Sequence, residues 1–146
     1  MKREKKMKEI DIENWNRKNI YNWFKTFSNS TYGVNVKLDV TSLVKLSKSR
    51  KESFFTNMLF IVMRSLNSID AMRMRYENGV PVIYDEINPS FTVMTESGTF
   101  DNARFKNITD YKEFYKKTRS VINEISKQTT LKESDYNPST THDEYY

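Results

Sequence analysis

Met72-Arg73-Met74-Arg75-Tyr76-Glu77-Asn78-Gly79-Val80-Pro81-Val82-Ile83-Tyr84-Asp85 is the stretch that decides the fold. Two β-prone runs, Met72 to Tyr76 and Val80 to Asp85, flank Asn78-Gly79. A two-residue type I′ turn needs positive φ at both central positions. Asparagine tolerates that and glycine adopts it without steric cost, so the spacing predicts a tight hairpin. Pro81 lacks a backbone N–H and therefore belongs near the strand start or on an edge.

Working toward the C-terminus, Ser90 to Thr95 reads as another strand, with Phe91 and Val93 alternating against Thr92 and Met94. Thr99 to Phe105 reads as a fourth. Asp110 is placed to cap a last helix, with Glu113 at the reciprocal capping-box position. Tyr111, Phe114, Tyr115, Ile122 and Ile125 line one face of that helix, with Val121 beside it. From residue 128 to Tyr146 the pattern is lost and the chain reads as a polar tail. The folded domain is expected over residues 1–127.

Toward the N-terminus, Ser53 opens the strongest helical pattern. Phe55, Met58, Leu59, Val62 and Leu66 form a stripe that Phe54, Ile61 and Met63 widen. A stripe that wide predicts burial on more than one side. Thr41-Ser42 offers a cap for a short helix through Leu43, Val44 and Leu46, and Lys45 to Lys51 reads as a solvated basic stretch. Tyr32, Val34, Val36, Leu38 and Val40 alternate with Asn35, Lys37 and Asp39, which predicts a half-buried strand. Ile20, Trp23, Phe24 and Phe27 have helical spacing, stopped by Ser28-Asn29-Ser30. Glu9 to Ile12 reads as a short strand and Met1 to Lys8 as a frayed basic start. The sum is an α/β fold, with strands in hairpins and helices covering one face.

Composition narrows the chemistry. The chain has 146 residues, enough for one domain, and 14% aromatics, too many for a disordered polymer. It has no cysteine, so disulfides and thiolate metal sites are excluded and a reducing, cytoplasmic setting is the natural reading. The longest apolar run, Met58 to Met63, is too short to span a bilayer, and no apolar segment follows the charged start, so neither a membrane span nor a secretory signal is expected. The formal net charge of +5 comes from positives interspersed with acids. With no stacking motif or reading helix, nucleic acid is not expected as a partner.

Catalytic constellations are scarce. One histidine and no cysteine leave only carboxylates, so no zinc or copper site is expected. Gly33, Gly79 and Gly98 are isolated and form no phosphate-cradling loop. Asp85 and Glu86, adjacent on a strand, point to opposite faces and do not share a substrate. The lone His142 lies among Ser139-Thr140-Thr141 and Asp143-Glu144-Tyr145-Tyr146, with nothing apolar to bury or orient it. No catalytic residue is expected among these groups. The informative cluster is aromatic: Trp15, Tyr21, Trp23, Phe24, Phe27 and Tyr32 fall within eighteen residues. Such a cluster serves either as ordinary core or as the wall of a concavity for a planar ligand.

The order of several short motifs resembles the chloramphenicol acetyltransferase family. They are Asn14-Trp15-Asn16-Arg17-Lys18, Thr31-Tyr32, Lys37-Leu38-Asp39-Val40-Thr41, Arg73-Met74 and Asn78-Gly79-Val80-Pro81-Val82-Ile83-Tyr84-Asp85, followed by Asn88-Pro89-Ser90-Phe91-Thr92-Val93 and Thr99-Phe100. Each is weak alone; the ordered set, from about Ile10 to Tyr115, carries the resemblance. It implies a two-layer α/β sandwich of a mixed sheet with helices on one face, the fold of CoA-dependent acyltransferases. It also implies transfer of acetyl from acetyl-CoA to the 3-hydroxyl of chloramphenicol, and a homotrimer with active sites between subunits.

By position, the resemblance makes Trp23, Phe24, Ser28, Ser30 and Tyr32 the wall of the acceptor pocket and Phe100 an aromatic packing on the antibiotic. Trp23 stands where the family usually has Phe, Ser28 where it has Leu, and Ser30 where many members have Cys. Arg17 matches a structural arginine that pairs with the aspartate of a later His-His-x-x-x-Asp-Gly segment, which also supplies the family's catalytic base. No such segment occurs in these 146 residues, and His142 matches it neither in motif nor in position. The expectation is thus a truncated, inactive form of the family's fold. The alternative is a non-catalytic binding or trimer-interaction module that keeps the aromatic pocket. Uncovered apolar surface is expected to make the chain poorly soluble.

Overall fold

The computed structural model describes residues 7–129. Its order is β1 (Met7–Glu9), α1 (Lys18–Phe24), α2 (Thr41–Arg50), α3 (Phe54–Asn67), a 3₁₀ turn (Asp70–Arg73), β2 (Met74–Glu77), β3 (Val80–Tyr84), β4 (Ser90–Met94), β5 (Phe100–Arg104) and α4 (Tyr111–Ser126). The strands make two antiparallel sheets, one ordered β1-β3-β2 and the other β4-β5.

The hairpin forms as its turn residues dictate. Glu77 pairs with Val80, closing the ladder around Asn78 at φ 50° and Gly79 at φ 80°. Pro81 is the second residue of β3. It falls just past the β1 ladder, which pairs Met7, Lys8 and Glu9 with Tyr84, Ile83 and Val82. Its carbonyl still accepts from the Ile10 N–H at 3.0 Å, so the proline interrupts no β1 pair.

The core lies between this sheet and the two long helices. Met63, Val82, Tyr84, Ile87, Phe105 and Phe114 are buried together, with Leu59, Phe60, Leu66, Phe91 and Val121 packed around them. Phe114 stands edge-on to Phe60 and Phe105, with centroids 5.2 Å and 5.5 Å apart. A smaller cluster of Val93, Ala103 and Ile125 seats the end of α4 on β4 and β5. Asn67 fixes the β3–β4 connection to α3, accepting from the Ile87 N–H at 2.8 Å and donating to the Ile87 carbonyl at 3.1 Å.

Both long helices start where their caps predict. Ser53 Oγ accepts from the Thr56 N–H, and Asp110 Oδ1 accepts from the Glu113 N–H at 2.9 Å. The lesser elements depart from the sequence reading. Val40 rather than Thr41 or Ser42 is the cap residue of α2, and no side chain caps it; Asp39 Oδ1 instead takes the Thr41 N–H at 2.9 Å. The helix continues through the basic stretch to Arg50 and ends on Lys51 in the left-handed region, at φ 55°. The first strand runs Met7–Glu9 rather than Glu9–Ile12, because Asp11 turns the chain by accepting from the Glu13 and Asn14 N–H groups.

The largest correction concerns Tyr32 to Val40. These residues form no strand, and Tyr32, Val34, Val36 and Leu38 are 84%, 73%, 77% and 68% exposed. Alternation encodes a strand only when another strand supplies the ladder, and among the described residues none pairs here. The wide stripe of α3 is likewise covered on one side only: Met63 is buried, whereas Phe54, Phe55 and Ile61 remain more than a third exposed. No helix among the described residues is long and apolar enough to cross a membrane. The polar tail, His142 included, lies outside the described residues apart from Gln128 and Thr129, as do Met1 to Lys6 of the basic start.

Candidate acceptor site

The residues singled out for ligand contact come from three places. Trp23 and Phe24 end α1, Ser28, Ser30 and Tyr32 follow it in exposed irregular chain, and Phe100 begins β5. Helical spacing turns Trp23 and Phe24 outward beside Phe27. The three rings touch, with centroids 5.3 Å (Trp23–Phe24), 5.4 Å (Trp23–Phe27) and 5.2 Å (Phe24–Phe27) apart. Trp23 is 62% exposed, so the cluster is an open aromatic face and not core.

The chain after α1 is shaped by its own short polar groups. Thr26 Oγ1 donates to the Trp23 carbonyl at 2.7 Å, closing the helix end. Asn29 Oδ1 accepts from the Thr31 N–H at 2.9 Å, a local turn between Ser28 and Tyr32. Phe100 pairs with Met94 at the end of the β4–β5 ladder, exposed, and makes no ring contact with this cluster among the described residues. The structure therefore brings Trp23, Phe24 and Phe27 together, while Tyr32 and Phe100 make no ring contact with them among the described residues.

Arg17 occupies the cap position of α1, where its carbonyl accepts from the Tyr21 N–H at 2.9 Å. Its side chain is exposed and forms no ion pair among the described residues. On the other side of α1, Trp15 tilts against Tyr21 and Tyr21 stacks on Tyr76 of β2. That contact ties α1 to the three-stranded sheet. Withdrawal from water pushes the Tyr76 hydroxyl up to about 12, with Tyr21 adding to the effect. The aromatic cluster of the sequence thus divides into Trp15 and Tyr21, of which Tyr21 stacks on the sheet, and Trp23, Phe24 and Phe27, facing out.

Concavities lie elsewhere among the described residues, and none of these side chains lines the two described next. One, about 310 Å³, is bounded by Phe60, Arg64, Asn67, Asn107 and Ile108. The other, about 420 Å³, includes Glu86, Lys106, Asp110 and Lys117. No group of three or more metal-ligating side chains occurs among the described residues.

Sequence reading missed a polar network where α2, α3 and α4 meet. Asn57 is buried and donates to Ser47 Oγ at 2.9 Å and Glu52 Oε2 at 3.2 Å, and the Tyr111 hydroxyl stands 2.7 Å from Asn57 Oδ1. Its signal was available: Asn57 interrupts an apolar helix face, and a polar residue there demands partners. Glu52 and Asn57 share the one Tyr111 hydroxyl proton, and the network joins the three helices.

The sequence model described as Chloramphenicol acetyltransferase matches residues 5–142, well beyond Tyr115. A chloramphenicol acetyltransferase of Klebsiella sp is 31% identical over 106 residues, covering 72% of this chain and 48% of the relative. One from Staphylococcus aureus is 30% identical over 109 residues, 73% of this chain and 50% of its own. A solved structure titled chloramphenicol acetyltransferase superposes with a TM-score of 0.76 at 31% identity, covering 84% of this chain and 58% of that one. The chain spans about half the length of the curated relatives it matches.

Proposed function

The chain belongs to the chloramphenicol acetyltransferase family, and on that premise we propose that it carries the acceptor side of that family's reaction without turning the reaction over by itself. In this reading Trp23, Phe24, Ser28, Ser30, Tyr32 and Phe100 contact a chloramphenicol-like acceptor, and acetyl-CoA is the acyl donor. The observation that carries it is the outward face of Trp23, Phe24 and Phe27, three rings in mutual contact with their surface left to solvent. A planar nitroaromatic ring stacks on such a face, while the hydroxyls of Ser28, Ser30 and Tyr32 offer hydrogen bonds to its polar arms.

Acyl transfer from a thioester to an alcohol also needs a base for the alcohol's proton. The hydroxyls just named bind but do not abstract a proton near neutral pH. General base catalysis contributes about 10²–10⁴-fold, and these 146 residues contain no His-His-x-x-x-Asp-Gly segment to supply it. The same proposal holds 1–127 as the folded domain, 128–146 as a polar tail, a cytoplasmic setting and a homotrimer.

Tryptophan fluorescence, corrected for the drug's own absorbance, tests acceptor binding. Chloramphenicol is expected to quench a saturable component that Trp23→Leu removes and Trp15→Phe retains. A flat titration to millimolar drug, or a response carried by Trp15 alone, contradicts the proposal.

A further inference from the structure

We propose that Asn78 is a site of spontaneous covalent modification, converting through a cyclic imide to aspartate and isoaspartate, and that this conversion unlocks the central hairpin. Asn78-Gly79 is the one Asn-Gly pair in the sequence. The reaction needs a free backbone nitrogen after the asparagine, a free side-chain amide, little steric obstruction and access for water. The turn supplies all four. Glu77 and Val80 form the last ladder pair, so the Gly79 N–H lies outside the ladder. The Asn78 amide makes no hydrogen bond among the described residues. Both residues are exposed, and even a Cβ built on Gly79 would meet nothing within 4 Å.

Other asparagines are protected in identifiable ways. Asn67, before Ser68, has its amide held by Met63 and Ile87, and the Ser68 N–H is bonded to the Ser65 carbonyl. Asn29, before Ser30, has its side-chain oxygen engaged by Thr31. Asn88 precedes Pro89, which has no N–H to attack with.

In the step itself, the Gly79 nitrogen gives its proton to solvent and bonds to Asn78 Cγ. The Cγ–Nδ2 bond breaks and ammonia leaves. Water then opens the ring at either carbonyl, with no change of oxidation state. Opening at the main-chain carbonyl gives isoaspartate, which places an extra methylene in the backbone. A two-residue turn closes only with a fixed number of backbone atoms, so the Glu77–Val80 pair is lost. The register of β2 on β3 then loosens. β3 carries Val82 and Tyr84, 0% and 1% exposed, into the core, and β2 carries Tyr76, on which Tyr21 of α1 stacks.

The test is timed incubation of the full chain in warm, mildly alkaline buffer, followed by peptide mapping that separates asparagine, aspartate and isoaspartate. Asn78 is expected to be lost severalfold faster than Asn67 or Asn29, with isoaspartate among the products. The aged protein should melt lower and more broadly than fresh protein. Asn78→Gly, which keeps a turn able to adopt positive φ but has no amide, should age with no change in melting. The proposal is overturned if Asn78 outlasts Asn67 or Asn29 in native buffer, if it converts only in denaturant, or if isoaspartate accumulates while the melt stays unchanged.

Discussion

The Tyr111 hydroxyl lies 2.7 Å from Glu52 Oε2, joining the first turn of α4 to the link between α2 and α3. The two residues are 59 positions apart, and the bond closes the helical layer over the core. Tyr111→Phe keeps the ring contact with Phe60 but removes the one hydroxyl proton that Glu52 Oε2 and Asn57 Oδ1 share. The expected cost is about 1–3 kcal/mol, at the lower end because Glu52 is partly exposed. Denaturant melts of the two proteins measure it, and equal midpoints would contradict it.

The same hydroxyl sets an alkaline limit. Desolvation, then the hydrogen bond to Glu52, push Tyr111 from 10.0 up to about 12. An unfolded chain releases this proton near its ordinary value while the folded chain holds it. The stabilisation is therefore complete below about pH 10 and is lost as pH rises toward about 12. Melting temperature should fall across this window, and less steeply in Tyr111→Phe.

Asp101 is a buried carboxyl group on β5. It is 2% exposed; Oδ1 accepts from the Asn102 N–H at 2.7 Å, whereas Oδ2 has no hydrogen-bond partner among the described residues. A buried carboxylate with an unmatched oxygen is destabilising. Asp101→Asn keeps the shape and the Asn102 bond while removing the charge, and should raise stability by on the order of 1 kcal/mol. A lower melting temperature than the parent would contradict this.

The exposed alternating stretch predicts self-association. Val34 and Val36 each have most of their surface in water, in chain that pairs with no strand among the described residues. Val36→Lys should change folding stability by less than about 0.5 kcal/mol while lowering concentration-dependent light scattering. Unchanged scattering would show that this stretch does not drive association.

Local signals explain what was legible in the sequence. Asn78-Gly79, Ser53 and Asp110 act within a few residues, and each produced the predicted hairpin or cap. The inward set Phe91 and Val93 followed from alternation because β5 lies alongside to complete the ladder. Tyr32 to Val40 carries an equally clean alternation and forms no strand, since pairing depends on a neighbour the segment does not encode. The site was legible in part for a related reason. Helical spacing placed Trp23, Phe24 and Phe27 together, but not whether their shared face turns inward. The polar network around Asn57 joins residues from three helices, and only folding brings them into contact.

The most direct test of the account is acetyl transfer from acetyl-CoA to chloramphenicol, assayed with the purified 146-residue chain alone. The prediction is no turnover above the buffer control, together with saturable, Trp23-dependent quenching by the drug. Turnover at ordinary enzyme rates, about 1–10³ per second, would contradict it and would mean that these residues contain a base the present reading does not identify.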